Sequence, residues 1–344
     1  MKNVKVVSIV ALLLVFALAF AACTATDNNP TPPGQGEVTS SANEPDPAPP
    51  ANDDSDRPIK VGFAQTGNTH PWRITQTNDI KRVAEERGFD FVWVDAQEDT
   101  AKQVQNVEEL INQGIDYLFF DPREYEGSHA ALMVAKEAGI PTIVVDRQVR
   151  GEPGVDFITM IGSSFVFQGQ LAGEWLRDQT GGETNIVQIQ HIMGSSVDID
   201  RTKGFAEIID QEPGMTIVAS QYGNSERDEG QKVMENILQS HQGQFDSIYS
   251  QSDESTVGVV MALKGVGLDP ADFIIISTDG GKEAIQMILD GTIGATVTCS
   301  PFYGNILFDW LERIIAGETV PTEIIVDDFV IDSTNAAEEI LRAY

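Results

Sequence analysis

Short apolar runs that alternate with longer amphipathic stretches limit the fold of this chain more than any other feature of its sequence. Runs such as KVGFA, DFVWVDA, IDYLFF and PTIVVD are separated by segments whose spacing predicts helices near 75–87, 100–113 and 127–138. Strands that alternate with helices indicate βαβ units and a parallel sheet. Because the runs are almost continuously apolar, we expect both faces of this sheet to be covered.

The same alternation restarts near Gly162. The runs TNIVQIQ, TIVASQY, DSIYSQ and FIIISTD are accompanied by predicted helices near 165–179, 200–211, 226–241 and 254–266. Two series of this kind predict an α/β fold with two similar Rossmann-like lobes, each built on its own parallel sheet.

The N-terminal segment 1–23 has the pattern of a targeting signal. Two lysines precede the apolar run VVSIVALLLVFALAFAA, and the small residues of FAAC close it, which is typical of secretory signals. The cysteine after the small pair predicts a lipoprotein signal in which Cys23 carries the lipid, although Phe20 stands where leucine is commoner. Cleavage near Ala22 without a lipid and an uncleaved membrane anchor remain the alternatives.

Residues 24–57 predict an extended acidic tether. This stretch contains seven of the 16 prolines, seven acidic residues and almost no large apolar side chain, so it cannot bury enough surface to offset the entropy of ordering. A lipid followed by such a spacer suits a folded body that stands off the outer face of the cell membrane, in the periplasm or at the cell surface.

The composition limits the possible partners of the body that follows. The whole sequence has a net charge of −31, which excludes a nucleic-acid partner because such a partner requires a basic face. No second apolar run approaches the roughly 20 residues of a membrane span, so we expect a soluble body. Cys299 is the one cysteine after Cys23, and no disulfide is therefore expected within the body.

Polar and aromatic side chains follow the predicted strands of both lobes. In open parallel sheets, ligands bind beyond the carboxyl ends of the strands, so these side chains form the candidate site. They are Gln65, Trp72, Arg73, Glu124, Asp146 and Arg147 in the first lobe, and Arg201, Asn224, Ser252, Asp253 and Asp279 in the second. Carboxylates accept hydrogen bonds from hydroxyl groups, arginines donate hydrogen bonds to the hydroxyl oxygens, and an indole packs on C–H faces. The mixture predicts a neutral, polyhydroxylated ligand such as a sugar.

Each of these residues also has a structural interpretation. An aspartate after a strand is often a helix N-cap, and a neighbour pair such as Asp146-Arg147 is usually a salt bridge. Trp72 could simply plug the top of the sheet. The repetition at corresponding strand ends favours the binding site.

The sequence lacks the usual catalytic patterns. Its four histidines are not accompanied by a nucleophile elbow, a phosphate-binding loop or metal-ligand spacing. Paired carboxylates flank the predicted cleft, as glycosidases require, but each has a neighbouring arginine that we expect to keep it ionised. We therefore expect no enzyme activity, no cofactor and no metal.

Beyond these patterns, the sequence resembles the type I periplasmic sugar-binding proteins of the ribose- and galactose-binding group. The resemblance rests on VGFAQTGNTHPWR, LINQGIDYLFFDP, AGIPTIVVDR, GQLAGEWL, DRTKGFAEII, SDESTVGVVMALKGVG and STDG, which occur in the family's order and spacing. It runs from Ile59 to about Asp332. The Trp-Arg pair, the Asp-Arg pair and GSSVDIDRTKGFAE are most similar to family members that bind galactofuranose.

The resemblance implies two lobes joined by three crossovers at a hinge, an arrangement known as a Venus flytrap. The N-terminal lobe would comprise 58–162 plus 300–328, and the C-terminal lobe 163–299 plus 329–344. Closure of the hinge would bury the sugar between them.

The family's sugar contacts would fall on ten residues of this chain. They are Trp72, Arg73, Asp146, Arg147, Arg201, Asn224, Ser252, Asp253, Asp279 and Cys299. Ser252 and Cys299 depart from the family, in which Asn and Gln or Glu are usual, and both exchanges shorten a polar side chain.

The resemblance also implies a function. It predicts a monomeric extracytoplasmic lipoprotein of a sugar ABC importer, which delivers a monosaccharide such as galactofuranose to a permease and its ATPase. The alternative is a sugar-sensing subunit that signals to a membrane kinase or chemoreceptor. Neighbouring permease and ATPase genes would favour transport, whereas a kinase gene alone would favour sensing.

Overall fold

The computed structural model describes residues 57–344. The predicted signal, its lipidation site at Cys23 and the predicted tether up to residue 56 lie outside the described residues. Within 57–344, no helix is both long and apolar enough to cross a membrane.

The first sheet carries the first series of predicted strands. Its members are β1 (Lys60–Gln65), β2 (Asp90–Asp95), β3 (Tyr117–Phe120), β4 (Thr142–Val145), β5 (Thr159–Ser163) and β11 (Glu323–Val326). They are all parallel, in the order β11-β5-β4-β3-β1-β2. The sheet is covered by α1 (Pro71–Arg87), α2 (Thr100–Asn112), α3 (His129–Glu137) and α9 (Gly304–Ile315). Separate apolar clusters lie on its two faces, one with α1 and α9 and the other with α2 and α3.

The second sheet repeats this plan. Its strands are β6 (Glu183–Gln190), β7 (Gly214–Tyr222), β8 (Ser247–Ser250), β9 (Ile274–Asp279), β10 (Ala295–Thr298) and β12 (Val330–Asp332), in the order β12-β10-β9-β8-β6-β7. All are parallel to their neighbours except β12, which pairs antiparallel with β10. The accompanying helices are α4 (Phe165–Thr180), α5 (Ser196–Ile209), α6 (Arg227–His241), α7 (Asp253–Gly265), α8 (Lys282–Leu289) and α10 (Ala336–Glu339), with a 3₁₀ turn at Pro270–Asp272.

The chain passes between the sheets at three places. These are Ser164 between β5 and α4, residues 299–303 between β10 and α9, and residues 327–329 between β11 and β12. The predicted α/β fold with two parallel-sheet lobes is confirmed.

Two predicted helix starts are wrong, and both errors bear on the candidate site. Helix α1 begins at Pro71 rather than near Thr75, because Pro71 occupies the first helical position and the His70 side chain accepts the Trp72 N–H. Helix α5 begins at Ser196 rather than near 200, because Ser195 Oγ accepts the Asp198 N–H. Trp72 therefore lies on a first helical turn and not in a loop.

Candidate ligand-binding site

The carboxyl ends of both sheets surround one polar cavity. The space within its wall, counted together with solvent at its opening, is about 450 Å³. The predicted site residues in its wall are Trp72, Arg73, Asp146, Arg147, Arg201, Asn224, Asp279 and Cys299. The wall also contains His70, Glu98, Phe165, His191, Ile192, Val197, Ser225 and Glu226, none of which was predicted.

Trp72 is held rigidly in the first-lobe wall. Its indole Nε1 donates to the Cys299 carbonyl at 2.7 Å, and the Arg73 guanidinium carbon lies 4.5 Å from the ring centroid. The Tyr303 ring meets it edge-on, with centroids 6.1 Å apart. Trp72 also belongs to the apolar cluster shared by α1 and α9. It is thus both a core residue and part of the cavity wall, and one of its bonds reaches the crossover segment.

Arg73 forms the charged centre of the first-lobe wall. It pairs with Asp146 Oδ2 at 2.9 Å and makes a short ion pair with Asp121. Arg147 Nε is 3.9 Å from Asp146, so the predicted neighbour pair is the weaker of the two. The reason is geometric: the first turn of α1 brings Arg73 across the sheet edge to both carboxylates.

Arg201 plays the equivalent part in the second lobe. It is 1% exposed. Its guanidinium donates to Gln168 Oε1 at 2.8 Å, to the Gln251 carbonyl at 2.5 Å and to Asp279 Oδ1 at 3.4 Å. An arginine satisfied by three fixed acceptors is preorganised to present its remaining N–H groups to a ligand.

The backbone is strained at several positions of the cavity wall. The φ angles of Asp146, Asn224, Ser225 and Asp279 are 62°, 52°, 60° and 138°, in a region that side-chain-bearing residues rarely adopt. Strain of this kind persists where the surrounding structure enforces it, and it clusters at ligand-binding sites.

Four predicted site residues do not line the cavity, and their assignment as ligand contacts stays a prediction. Gln65 is fully buried and donates to Gln76 Oε1 at 2.8 Å. The same oxygen accepts from Arg73 at 3.2 Å. Gln65 thereby orients a cavity residue from behind.

Asp253 and Ser252 also lie behind the wall. The Asp253 carboxylate accepts from Thr296 Oγ1 at 2.9 Å and from the Gly281 N–H at 2.7 Å. Ser252 Oγ accepts from Ser225 Oγ at 2.9 Å. Both begin a helix that points their side chains into the second lobe instead of the cavity.

Glu124 lies near the rim. It pairs with Arg123 and approaches Gly194 of the second lobe. It is absent from the cavity wall because the adjacent arginine holds its carboxylate outside it.

Burial changes the acidity of the site. Removal from water raises the pKa of Asp279 to about 6 and that of Asp121 to about 7, although Arg201 and Arg73 oppose the change. Burial and the neighbouring Asp279 raise the pKa of Asp253 to about 8. For Asp121, burial and the ion pair with Arg73 act on the pKa in opposite directions.

Two histidines of the wall were missed. His70 Nδ1 caps α1, and Nε2 lies 3.5 Å from Ser225 Oγ in the other lobe. Burial and the charges of Arg73 and Arg147 lower the pKa of His70 to about 3. Burial, followed by Arg147, also lowers the pKa of His191 far below its usual value. Their positions in the sequence, His70 just before Pro71 and His191 just after β6, indicate the carboxyl ends of strands, where ligands bind.

The two lobes touch directly at the cavity rim. The Tyr125 N–H donates to the Gly194 carbonyl at 3.0 Å, and the Gln148 N–H donates to Ser196 Oγ at 2.9 Å. The lobes are thus closed over the cavity. In residues 57–344, no group of three or more His, Cys, Asp or Glu side chains could hold a metal ion.

Two α/β lobes closed over a polar cavity define the class of two-lobed solute-binding proteins. Residues 61–319 match the family described as "Periplasmic binding protein domain", and the chain belongs to this family. The family is extracytoplasmic, and the relatives found are solute-binding proteins and not enzymes.

Similar proteins agree with the resemblance seen in the sequence. The galactofuranose-binding protein YtfQ of Escherichia coli (strain K12) is 32% identical over 289 residues, covering 83% of this chain and 91% of that protein. The arabinose ABC transporter binding protein of Shewanella sp. ANA-3, bound to α- and β-L-arabinofuranose, is 34% identical with a TM-score of 0.79, covering 83% and 95%. A Mycobacterium smegmatis protein in complex with β-D-fucofuranose is 36% identical with a TM-score of 0.77, covering 81% and 93%.

Proposed function

We propose that this protein is the solute receptor of a sugar ABC importer, which binds a monosaccharide in the interlobe cavity and delivers it to the permease and its ATPase. The observation that carries the proposal is the cavity wall itself. An indole, three arginines and four carboxylates from both lobes surround one space, and this combination matches the C–H faces and hydroxyl groups of a sugar.

The proposed ligand is a furanose, with galactofuranose as the first candidate. D-Galactofuranose, D-fucofuranose and L-arabinofuranose share one configuration from C2 to C4 and differ in what C5 carries, which is CH2OH, CH3 and H, respectively. The relatives named above bind sugars of this set. We therefore expect this chain to bind a furanose ring of the same configuration.

The first lobe would receive the sugar. The Trp72 indole offers an apolar surface to its C–H face, Asp146 accepts from its hydroxyl groups, and Arg73 and Arg147 donate to its oxygens. Closure then adds Arg201 and Asp279 from the second lobe. Charge-assisted hydrogen bonds are worth about 1.5–3 kcal/mol each before ordering costs, so a few of them suffice for micromolar binding at about −8 kcal/mol.

We further propose that the folded body is a monomer held at the membrane by a lipid on Cys23 and by the tether 24–57. The proposed lobes are 58–162 plus 300–328 and 163–299 plus 329–344, and the three crossovers support this division. We expect the parent, but not a Cys23→Ser variant, to incorporate labelled palmitate. Absence of the label from the parent would contradict the lipid anchor.

Isothermal titration calorimetry tests the proposed function. The full-length protein, purified in detergent, is titrated with D-galactose, D-fucose, L-arabinose, D-ribose and D-glucose. The first three contain some furanose of the proposed configuration in solution, whereas the furanose of D-ribose has a different configuration. We expect micromolar or tighter apparent binding of at least one of the first three sugars. Failure of every sugar to bind would contradict the proposal.

A further inference from the structure

Two nitrogens of cavity residues, one from each lobe, have no hydrogen-bond partner. They are Nε of Arg147, which follows β4 of the first lobe, and Nδ1 of His191, which follows β6 of the second. Arg147 is 4% exposed and His191 is 5% exposed, and both line the cavity. A buried polar group without a partner costs roughly 1–3 kcal/mol, so a polar group placed in the cavity gains by pairing with them.

The other two arginines of the wall differ in this respect. Arg73 pairs with Asp121 and Asp146, and Arg201 pairs with Asp279 and accepting oxygens. Arg147 has the distant contact to Asp146 at 3.9 Å and donates to the Arg123 carbonyl at 3.3 Å. It is therefore the cavity arginine with the most hydrogen-bonding capacity left for a ligand.

His191 complements Arg147 chemically. The lowered pKa keeps its imidazole neutral at physiological pH, and a neutral imidazole has one donor nitrogen and one acceptor nitrogen. A guanidinium only donates. A hydroxyl group that accepts a hydrogen bond from Arg147 can still donate one through its own O–H, and a neutral histidine can accept that hydrogen bond.

We propose that Arg147 and His191 together bind one hydroxyl group of the sugar. Arg147 donates a hydrogen bond to the hydroxyl oxygen, and His191 accepts a hydrogen bond from the hydroxyl O–H. This inference rests on the proposed function and makes His191 a specificity-determining residue of the site. A sugar without that hydroxyl group would leave both nitrogens unpaired on closure, so the pair rejects deoxy sugars at one position.

The test combines substitution of His191 with deletion of single hydroxyl groups. Affinities are measured by calorimetry on the full-length protein, its His191→Leu and His191→Gln variants, and the matched control His241→Leu at the exposed end of α6. The ligands are the best-binding sugar of the panel above and its monodeoxy derivatives. For D-galactose these are the 2-, 3-, 5- and 6-deoxy sugars and 1,4-anhydrogalactitol.

We expect His191→Leu to bind the complete sugar about 10- to 100-fold more weakly, and His191→Gln, which keeps an acceptor, to lose less. One deoxy sugar lacks the hydroxyl group that His191 binds. For that sugar, the affinities of the Leu variant and the parent should agree within about twofold. His241→Leu should match the parent throughout.

Two results would overturn the inference while leaving the proposed function intact. One is an affinity of His191→Leu equal to that of the parent. The other is an equal loss of affinity for every sugar, which a merely structural role of His191 would produce. Thermal unfolding of each variant establishes that it is folded, and His191→Gln serves if the Leu variant is not. If the parent binds no sugar, the proposed function fails, and this inference fails with it.

Discussion

Asp253 makes stability depend on pH at the scale of a single residue. Its pKa in the folded protein is about 8, against an ordinary value of 3.8. Between these values the folded protein retains a proton that the unfolded chain has lost, so the free energy of unfolding falls as pH rises through about 8. Asp121, with a pKa of about 7, acts in the same direction.

The two buried histidines act in the opposite direction, but at lower pH. The pKa of His70 falls from 6.5 to about 3, so its effect on stability is nearly complete about one pH unit above 6.5. From there to pH 8.5 the buried aspartates dominate the pH dependence.

We expect the thermal unfolding midpoint to fall between pH 6.5 and 8.5, and to fall less in an Asp253→Asn variant. Differential scanning calorimetry at both pH values measures this. Asp272→Asn, at an exposed position, is the control, and its unfolding midpoint should change with pH as that of the parent does. An identical pH dependence in parent and Asp253→Asn would show that Asp253 does not retain the proton.

Residue positions were predictable from the sequence, but side-chain directions were not. Trp72, Asp146 and Asp279 were found because carboxyl ends of parallel strands meet at one edge. That rule does not say which way a side chain turns, and Asp253 turns into the lobe to accept from Gly281. The histidines were missed because each was considered as a catalyst instead of as a neutral hydrogen-bonding group.

Two glycines allow α4 and α5 to cross closely, and this contact positions Arg201. A Cβ at Gly204 would lie 1.9 Å from the Val166 carbonyl oxygen, and one at Gly169 would lie 2.2 Å from the Arg201 carbonyl oxygen. Both obstacles are backbone atoms that cannot rotate away. The close crossing therefore requires glycine, and Arg201 stands one turn before Gly204 on α5.

A Gly204→Ala substitution should destabilise the protein by about 1–3 kcal/mol, because the helices must separate to admit the methyl group. It should also weaken sugar binding, since Arg201 moves with α5. Chemical denaturation and calorimetry measure the two effects. The control is Gly265→Ala at the end of α7, where the added Cβ meets nothing within 4 Å.

Unchanged stability in Gly204→Ala would show that the crossing can relax at little cost. At this scale, helix periodicity predicted that α4 and α5 exist and roughly where they lie. Their closest approach could not be predicted, because it depends on which faces meet once the sheet is formed.

Closure of the two lobes is a property of the whole molecule, and Ser196 is one of its contacts. The Gln148 N–H to Ser196 Oγ bond joins the lobes at the cavity rim. Such a bond contributes about 0.5–1.5 kcal/mol and exists only in the closed arrangement.

A Ser196→Ala variant should bind sugar about two- to tenfold more weakly, and its sugar-free radius of gyration should be larger in small-angle X-ray scattering. Ser240→Ala is a suitable control, because Ser240 Oγ bonds to its own helix at Asn236. Equal affinity and equal size in parent and Ser196→Ala would exclude this contact from closure.

The restart of the alternation near Gly162 was enough to predict two lobes, because each series builds its own sheet. The rim contacts at Gly194 and Ser196 could not be predicted, since they depend on the angle between the lobes. No local pattern in the sequence encodes that angle.

The affinity of a Trp72→Ala variant for the best-binding sugar tests the central claim most directly. Calorimetry compares it with the parent and with Trp72→Phe, which keeps an aromatic face but loses the bond to the Cys299 carbonyl. If Trp72 is the platform of a sugar site, the Ala variant should bind at least about 100-fold more weakly, and the Phe variant should lose much less. Parent-like affinity in a folded Trp72→Ala protein would mean that Trp72 only plugs the sheet, and would contradict the account.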